Sequence, residues 1–276
     1  MISIKEQYLK KPSPIEKELM LFFSPTDPLA IFDVGSCEGL DSIKYAQLFP
    51  RSKIYAFEPV NENFQIILSN IKQYNCPNIL PVKRAVSDKK STATFYKSSG
   101  QPQGLDKDPQ WNYGNKSSSL LSPKIHLDIY SWCKFNQQEI VETDTIQNFC
   151  QQQGIHQIHL LHLDVQGAEH KVLEGAAGFI QNILIIWMEV AYVELYDQQP
   201  LRNDTINYME NKGFMLIKED DRNYSGDHLY INKVFLDSYG GKTGIAELVR
   251  DKPQVFSFRR AIKNLYRKIL LFKLNG

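Results

Sequence analysis

The chain has no Cys-x-x-Cys pair, no long hydrophobic run and almost no net charge. Its four cysteines, Cys37, Cys76, Cys133 and Cys150, are scattered singly. That spacing excludes a zinc ribbon and a dense disulfide framework, and makes reduced thiols in a cytoplasmic protein the expectation. The longest nearly uncharged apolar stretch is Ile183–Met188, far short of the ~20 residues a membrane helix needs. The opening MISIKEQYLKK lacks the apolar centre of a signal peptide, so none is expected. Three Asn-x-Ser/Thr sequons, at Asn115, Asn203 and Asn223, carry no meaning in a cytoplasmic protein. A formal charge of +1 over 276 residues argues against a nucleic-acid partner. The balance is uneven, however. Residues 241–276 hold nine Lys/Arg against two Asp/Glu, a net of +7, which leaves −6 for the rest. No internal repeat is present. At 42% hydrophobic and 23% charged the composition is that of an ordinary globular chain, and the length suits one large α/β domain with additions.

What is there alternates between two periods. Residues 14–23 read as a helix starting at Pro14, since proline suits a first helical turn. Short apolar strands are expected at Ala30–Val34, Lys53–Phe57, Ile79–Val86, Ile158–Leu163 and Ile183–Val190. A short exposed strand is expected at Thr92–Lys97, and a closing pair at Phe214–Lys218 and His228–Phe235. Helical periodicity falls between them, over Leu40–Leu48, Asn61–Asn75, Thr143–Gly154 (capped by Thr143 or Asp144), Ala168–Gly175 and Leu201–Lys212. Strands alternating with helices predict a Rossmann-like, doubly wound, mostly parallel sheet. Residues 98–124, rich in Ser, Gly, Pro and Gln, interrupt the pattern, and a long stretch of that kind is functional or disordered. The expected organisation is a helical lead over 1–28, one α/β domain over 29–239 with a substrate-side insertion at 98–135, and a tail over 240–276. Apolar and basic residues recur at helical spacing through Val255–Leu271. A basic amphipathic helix there would dock on the core, pair two subunits, or lie on an anionic membrane.

Chemistry is concentrated in three loops. The first is Asp33-Val34-Gly35-Ser36-Cys37-Glu38-Gly39, between a strand and a helix. Gly35 and Gly39 bend the backbone and admit a close ligand. Asp33 would orient the loop or reach a cofactor ammonium group. A dinucleotide fingerprint needs a glycine where Cys37 stands, which weakens a nicotinamide-dependent oxidoreductase without removing it as an alternative. The second is Phe57-Glu58-Pro59. An acid ending the second strand grips the two hydroxyls of a ribose, and Pro59 fixes the turn. Ala85 and Val86, ending the third strand, would flank an adenine. The third is Asp164-Val165-Gln166-Gly167-Ala168-Glu169. Ligands bind at the carboxyl ends of strands in open α/β sheets, so Asp164 can take a proton from an attacking hydroxyl. Glu169 is either part of that edge or a helix-terminal structural acid.

Glu189 ends the fifth strand and would bind substrate hydroxyls, act as base, or share a divalent metal with Asp164. A metal is not the favoured reading. His156, His159 and His162 lie three apart on one strand and cannot converge on an ion. His162, two residues before Asp164, faces the same side. Trp111, Tyr113, Trp132, Tyr192 and Tyr196 would stack on a sugar or flat ring, or simply pack under a loop.

These loops together resemble the FkbM-like methyltransferases, whose pattern runs D-V-G-A-N-x-G, F-E-P, A-V-S-D and D-V-Q-G-A-E. Here the matching residues are Asp33–Gly39, Phe57–Pro59, Ala85–Asp88 and Asp164–Glu169, followed by Leu173-Glu174-Gly175, in the same order over roughly residues 29–236. The resemblance implies a class I, Rossmann-like fold and an S-adenosylmethionine (SAM)-dependent O-methyltransferase. Its acceptor would be a hydroxyl of a carbohydrate, glycolipid or similar metabolite. Gly35, Ser36, Glu38, Gly39 and Glu58 look like cofactor contacts, and Asp164, Glu169 and Glu189 like active-edge residues. Ser118, in a serine-bearing segment, would reach cofactor or substrate. Cys37 replaces a common Asn. His162 replaces a common Lys, so that a neutral imidazole could trade charge pairing for proton transfer. A SAM-binding or glycan-binding module without turnover is the remaining alternative.

Overall fold

A computed structural model describes residues 2–239 except 106, 107, 109 and 110. The basic amphipathic helix expected over 255–271, with its dimer and membrane readings, lies outside the described residues. In chain order the elements are α1 (Ile4–Lys10), α2 (Glu16–Phe22), β1 (Ala30–Val34), α3 (Leu40–Leu48), β2 (Lys53–Phe57), α4 (Asn61–Gln73), β3 (Ile79–Val82), β4 (Ala85–Val86), β5 (Ser91–Gly100), α5 (His126–Ile129), β6 (Cys133–Asp144), α6 (Ile146–Gln153), β7 (Ile158–Leu163), α7 (Glu169–Ala176), β8 (Ile183–Ala191), α8 (Arg202–Asn211), β9 (Phe214–Asp221), β10 (Ser225–Asn232) and α9 (Lys233–Ser238).

Seven strands form the main sheet in the order β3-β2-β1-β7-β8-β10-β9. The first five run parallel, and β10 runs antiparallel to both of its neighbours, β8 and β9. The strand order reverses between β1 and β7, which opens a crevice at their carboxyl ends. Successive β1 residues point to opposite faces. Ile31 packs with Ile43, Phe49 and Leu160 on one side, and Phe32 with Phe149, Leu161 and Val172 on the other. Both faces are therefore covered by helices, as expected of a doubly wound sheet. No helix among the described residues is long and apolar enough to cross a membrane.

Several sequence expectations need correction. The lead holds two helices, the first capped by the Ser3 hydroxyl, which accepts from the Glu6 amide. The strand expected over Ile79–Val86 breaks at Lys83-Arg84, where the Arg84 amide turns back onto the Val82 carbonyl. Ala85 and Val86 then leave the main sheet and pair with Thr143 and Asp144 in a second, three-stranded sheet, β4-β6-β5. Strand β5 is longer than Thr92–Lys97 and pairs along most of β6, which the sequence did not announce. Thr143 and Asp144 belong to β6, so the cap of α6 is Thr145, whose hydroxyl accepts from the Asn148 amide. The last strand ends at Asn232 because that side chain accepts from the amides of Val234 and Phe235 and starts α9. Segment 98–135 is not structureless. It contains a 3-10 turn at Gly114–Ser117 and α5, and its ends lie in β5 and β6.

Candidate active site

The crevice is built from three strand ends. The β1 loop is pulled over β2, since the amides of Gly35 and Ser36 both donate to the Phe57 carbonyl, at 3.1 and 3.0 Å. The Ser36 hydroxyl donates to the same oxygen. Gly35 has φ +84°, and a Cβ on it would sit 2.0 Å from the Asp164 carbonyl oxygen. The β1 loop and the turn after β7 thus touch backbone to backbone. Gly39 (φ +72°) opens α3 and lies off the cleft wall, against Ile67. Cys37 also takes a left-handed backbone, φ 51°. The Asn of the family pattern would tolerate this region better than most side chains. Burial pushes the Cys37 thiol up, out of thiolate range at neutral pH.

The resulting cleft is lined by Asp33, Gly35, Ser36, Glu38, Glu58, Pro59, Ala85, Val86, His162 and Asp164, nearly all the cofactor-side residues the motifs named. Glu58 is 4% exposed and accepts from the Val60 amide at 2.7 Å. Burial outweighs its hydrogen bonds with Val60, Asn63 and Cys37 and pushes the carboxyl up to about 8. Asp33 accepts from the Ser42 hydroxyl at 2.5 Å and faces His162 Nδ1 at 3.3 Å. Burial alone would lower His162, but the bond and charge of Asp33, backed by Asp41 and Asp164, raise it to about 9. The imidazole is therefore charged at neutral pH. It pairs with Asp33 as a cation, contrary to the neutral, proton-transferring imidazole that the sequence suggested.

Asp164 lies on the cleft floor and is open to its solvent. Its surroundings push its carboxyl up, chiefly through desolvation, offset in part by the Gln166 hydrogen bond and the His162 charge. Gln166 holds it: the side-chain amide donates to Asp164 Oδ1 at 2.6 Å and to Glu189 Oε2 at 2.9 Å. One side-chain amide thus bridges the two carboxylates. Gln166 itself has φ 55°, a strained conformation typical of functional turns. Glu189 stands behind Gln166, off the cleft wall, and accepts from the Ser225 hydroxyl. Desolvation and the charges of Asp164, Glu169 and Asp227 push the Glu189 carboxyl well above its ordinary range.

Other named residues are not in the cleft. Glu169 is buried, and its Oε1 accepts from the amides of Val165 (3.1 Å) and Gly167 (3.2 Å). It clamps the turn and lies off the cleft wall, an arrangement that fits the structural one of its two readings. Burial raises it to about 7. Tyr196 is 1% exposed, with its hydroxyl donating to the Ser117 carbonyl, so its face is not offered to a substrate. Tyr192 is tied to Asp221, and Tyr113 packs on Trp111. Trp111 and Ser118 do line the cleft.

Sequence reasoning missed Tyr8, Asp41, Asn63, Asn115 and Lys116, all on the cleft wall. Tyr8 comes from α1, which no motif covers, and its hydroxyl donates to Asp41 at 2.7 Å. Asn115 donates to Glu38 and Asn63 from within the segment that showed no pattern. The donor set suits a nucleoside-bearing, charged cofactor. A buried carboxylate ends β2, an apolar corner of Ala85, Phe95 and Leu120 lies beside it, and acids crowd the β1–β7 side.

The model of the Methyltransferase FkbM domain matches residues 33–216. The 2-O-methyltransferase NoeI of Sinorhizobium fredii is 28% identical over 228 residues, covering 81% of this chain and 88% of that protein. Among solved structures, methyltransferase FkbM from Methylobacillus flagellatus aligns with a TM-score of 0.48 and 14% identity over 82% of this chain, which spans 50% of that one. A SAM-dependent methyltransferase from Aquifex aeolicus aligns at 0.39 and 11%, over 82% of this chain and 96% of that one. With its ordered motifs gathered on one cleft and the domain match running from Asp33 to Leu216, the chain belongs to the FkbM methyltransferase family and is a SAM-dependent methyltransferase.

Proposed function

We propose that the enzyme methylates a hydroxyl oxygen of a carbohydrate, glycolipid or similar metabolite. The observation that carries this is Asp164, an acid open to the cleft, fixed by Gln166, at the carboxyl end of a central strand. Bound SAM supplies an electrophilic methyl group on a sulfonium. A hydroxyl that attacks it must lose its proton, and Asp164 is the group placed to accept it. Most of the acceleration comes from holding acceptor and methyl in line. Charged His162 keeps Asp33 fixed beneath the β1 loop. The name of the Sinorhizobium relative, a 2-O-methyltransferase, supports an oxygen acceptor. Acceptor recognition belongs on the side of 122–135 and the β9–β10 turn, beside Glu189 and Ser225. A cytoplasmic setting is part of the same reading, supported by four free cysteines, three of them buried. Family membership sets aside the oxidoreductase and the module without turnover.

Transfer of labelled methyl from SAM across a panel of glycans and small polyols tests the acceptor class. Label moving only to amines or thiols would refute it. With an acceptor in hand, Asp164→Asn should lower kcat by about a hundredfold or more, with SAM affinity nearly unchanged. Loss of affinity without loss of kcat would remove Asp164 from the chemistry. Glu58→Ala should weaken SAM binding about a hundredfold by calorimetry, since a buried two-point hydrogen bond to the ribose is lost. Unchanged affinity would remove Glu58 from the ribose site.

A further inference from the structure

The cleft wall is acid-rich, carrying Asp33, Glu38, Asp41, Glu58 and Asp164. Among the described lining residues the cationic side chains are Arg84, His162 and Lys116. Arg84 is committed to Asp144 at 3.1 Å, and His162 to Asp33 at 3.3 Å. Lys116 is held differently. Its Nζ stands 3.9 Å from Glu38 Oε1, beyond hydrogen-bonding distance, and Glu38 Oε1 already accepts from Asn115. The closer support is a π face: Nζ lies 4.3 Å from the centroid of the Trp111 ring. Such a contact positions a cation without using up its donors. Trp111 is packed in turn against Tyr8 of α1, ring centroids 5.6 Å apart. The Lys116 side chain is 30% exposed, open to a ligand entering the cleft.

The cofactor carries two positive groups, its sulfonium and its ammonium, and one negative group, its α-carboxylate. The acids of the wall suit the first two. The carboxylate needs a cation to enter a site that otherwise repels it. We propose that Lys116, held over the Trp111 ring, is the partner of the cofactor's α-carboxylate. The assignment rests on SAM being the cofactor, and it transfers Trp111 from the acceptor side to the cofactor side.

Decarboxylated SAM differs from SAM only by lacking that carboxylate, so the pair isolates the contact. Calorimetry would compare both ligands on the wild type, Lys116→Gln and Lys116→Arg, without any acceptor. Lys116→Gln should weaken SAM about tenfold or more and leave decarboxylated SAM within about twofold. Lys116→Arg should keep most of the affinity for SAM. Equal weakening of both ligands would mean that Lys116 only supports the fold, and unchanged SAM affinity would mean that the carboxylate lies elsewhere. Either result overturns the assignment. A wild type that binds neither ligand would overturn the cofactor reading and this assignment with it.

Discussion

Gly35→Ala should unfold the cleft or leave a protein destabilised by about 4 kcal/mol or more. Two costs add. A left-handed residue with a Cβ costs about 1–2 kcal/mol. The larger cost is collision, because that Cβ would lie 2.0 Å from the Asp164 carbonyl oxygen and 2.7 Å from its carbon. Both are backbone atoms of a turn clamped by Glu169, so neither can swing aside. Gly39→Ala is the matched control. Its φ is also positive, +72°, but its Cβ would meet only the Ile67 side chain at 3.2 Å. Denaturant unfolding should therefore rank Gly35→Ala far below Gly39→Ala. Equal losses would show that backbone strain alone matters and that the contact between the two loops is not tight.

The ligand-free enzyme should lose stability as pH rises from 6.5 to 9, by about 4 kcal/mol. Glu58 and Glu169 are raised by burial to about 8 and 7. Across much of this window the folded protein keeps protons there that the unfolded chain has released. Stability therefore falls with pH until each folded value is passed. His162, raised to about 9, acts in the same direction: its pairing with Asp33 stabilises fully below 6.5 and is lost towards 9. Below 6.5 the trend is opposed by His126 and His228, which burial lowers to about 4 and 3, so that unfolding takes up protons there. For a domain of this size the drop to pH 9 amounts to a melting temperature lower by about 10 °C. Glu58→Gln should flatten the slope between pH 6.5 and 8. A wild-type curve rising through that range would contradict the buried, protonated Glu58.

The central sheet was legible because its strands are apolar on both faces. Strands such as β1 and β7 carry a signal that survives without knowledge of their partners. The motif residues were legible for a similar reason, as each sits within a few positions of a strand end. Strand β6 was not, since half of its residues are exposed and only Cys133, Val141, Thr143 and Asp144 are buried. Neither alternation nor a hydrophobic run marks it. Tyr8 and Lys116 were hidden by distance. The Ile4 amide donates to Asp108, 104 positions away, and nothing local says that α1 closes over the cleft. Glu169 misled for a different reason: an acid at a helix start looks the same whether it faces ligand or its own turn.

The short stretch from Ser117 to Ser119 is fastened from several directions. Tyr196 donates to the Ser117 carbonyl, the Ser119 hydroxyl donates to the Gln166 carbonyl, and Ser119 exchanges backbone bonds with Tyr96. It is a stitch between the small sheet and the large one. On one side of it lies the wall of the cofactor cleft; on the other, the chain runs on through α5 towards β6. Residues 117–119 are thus anchored independently of the chain that follows Leu120. With residues 122–135 as the acceptor side proposed above, such enzymes can drift towards new acceptors there while inheriting their grip on the methyl donor.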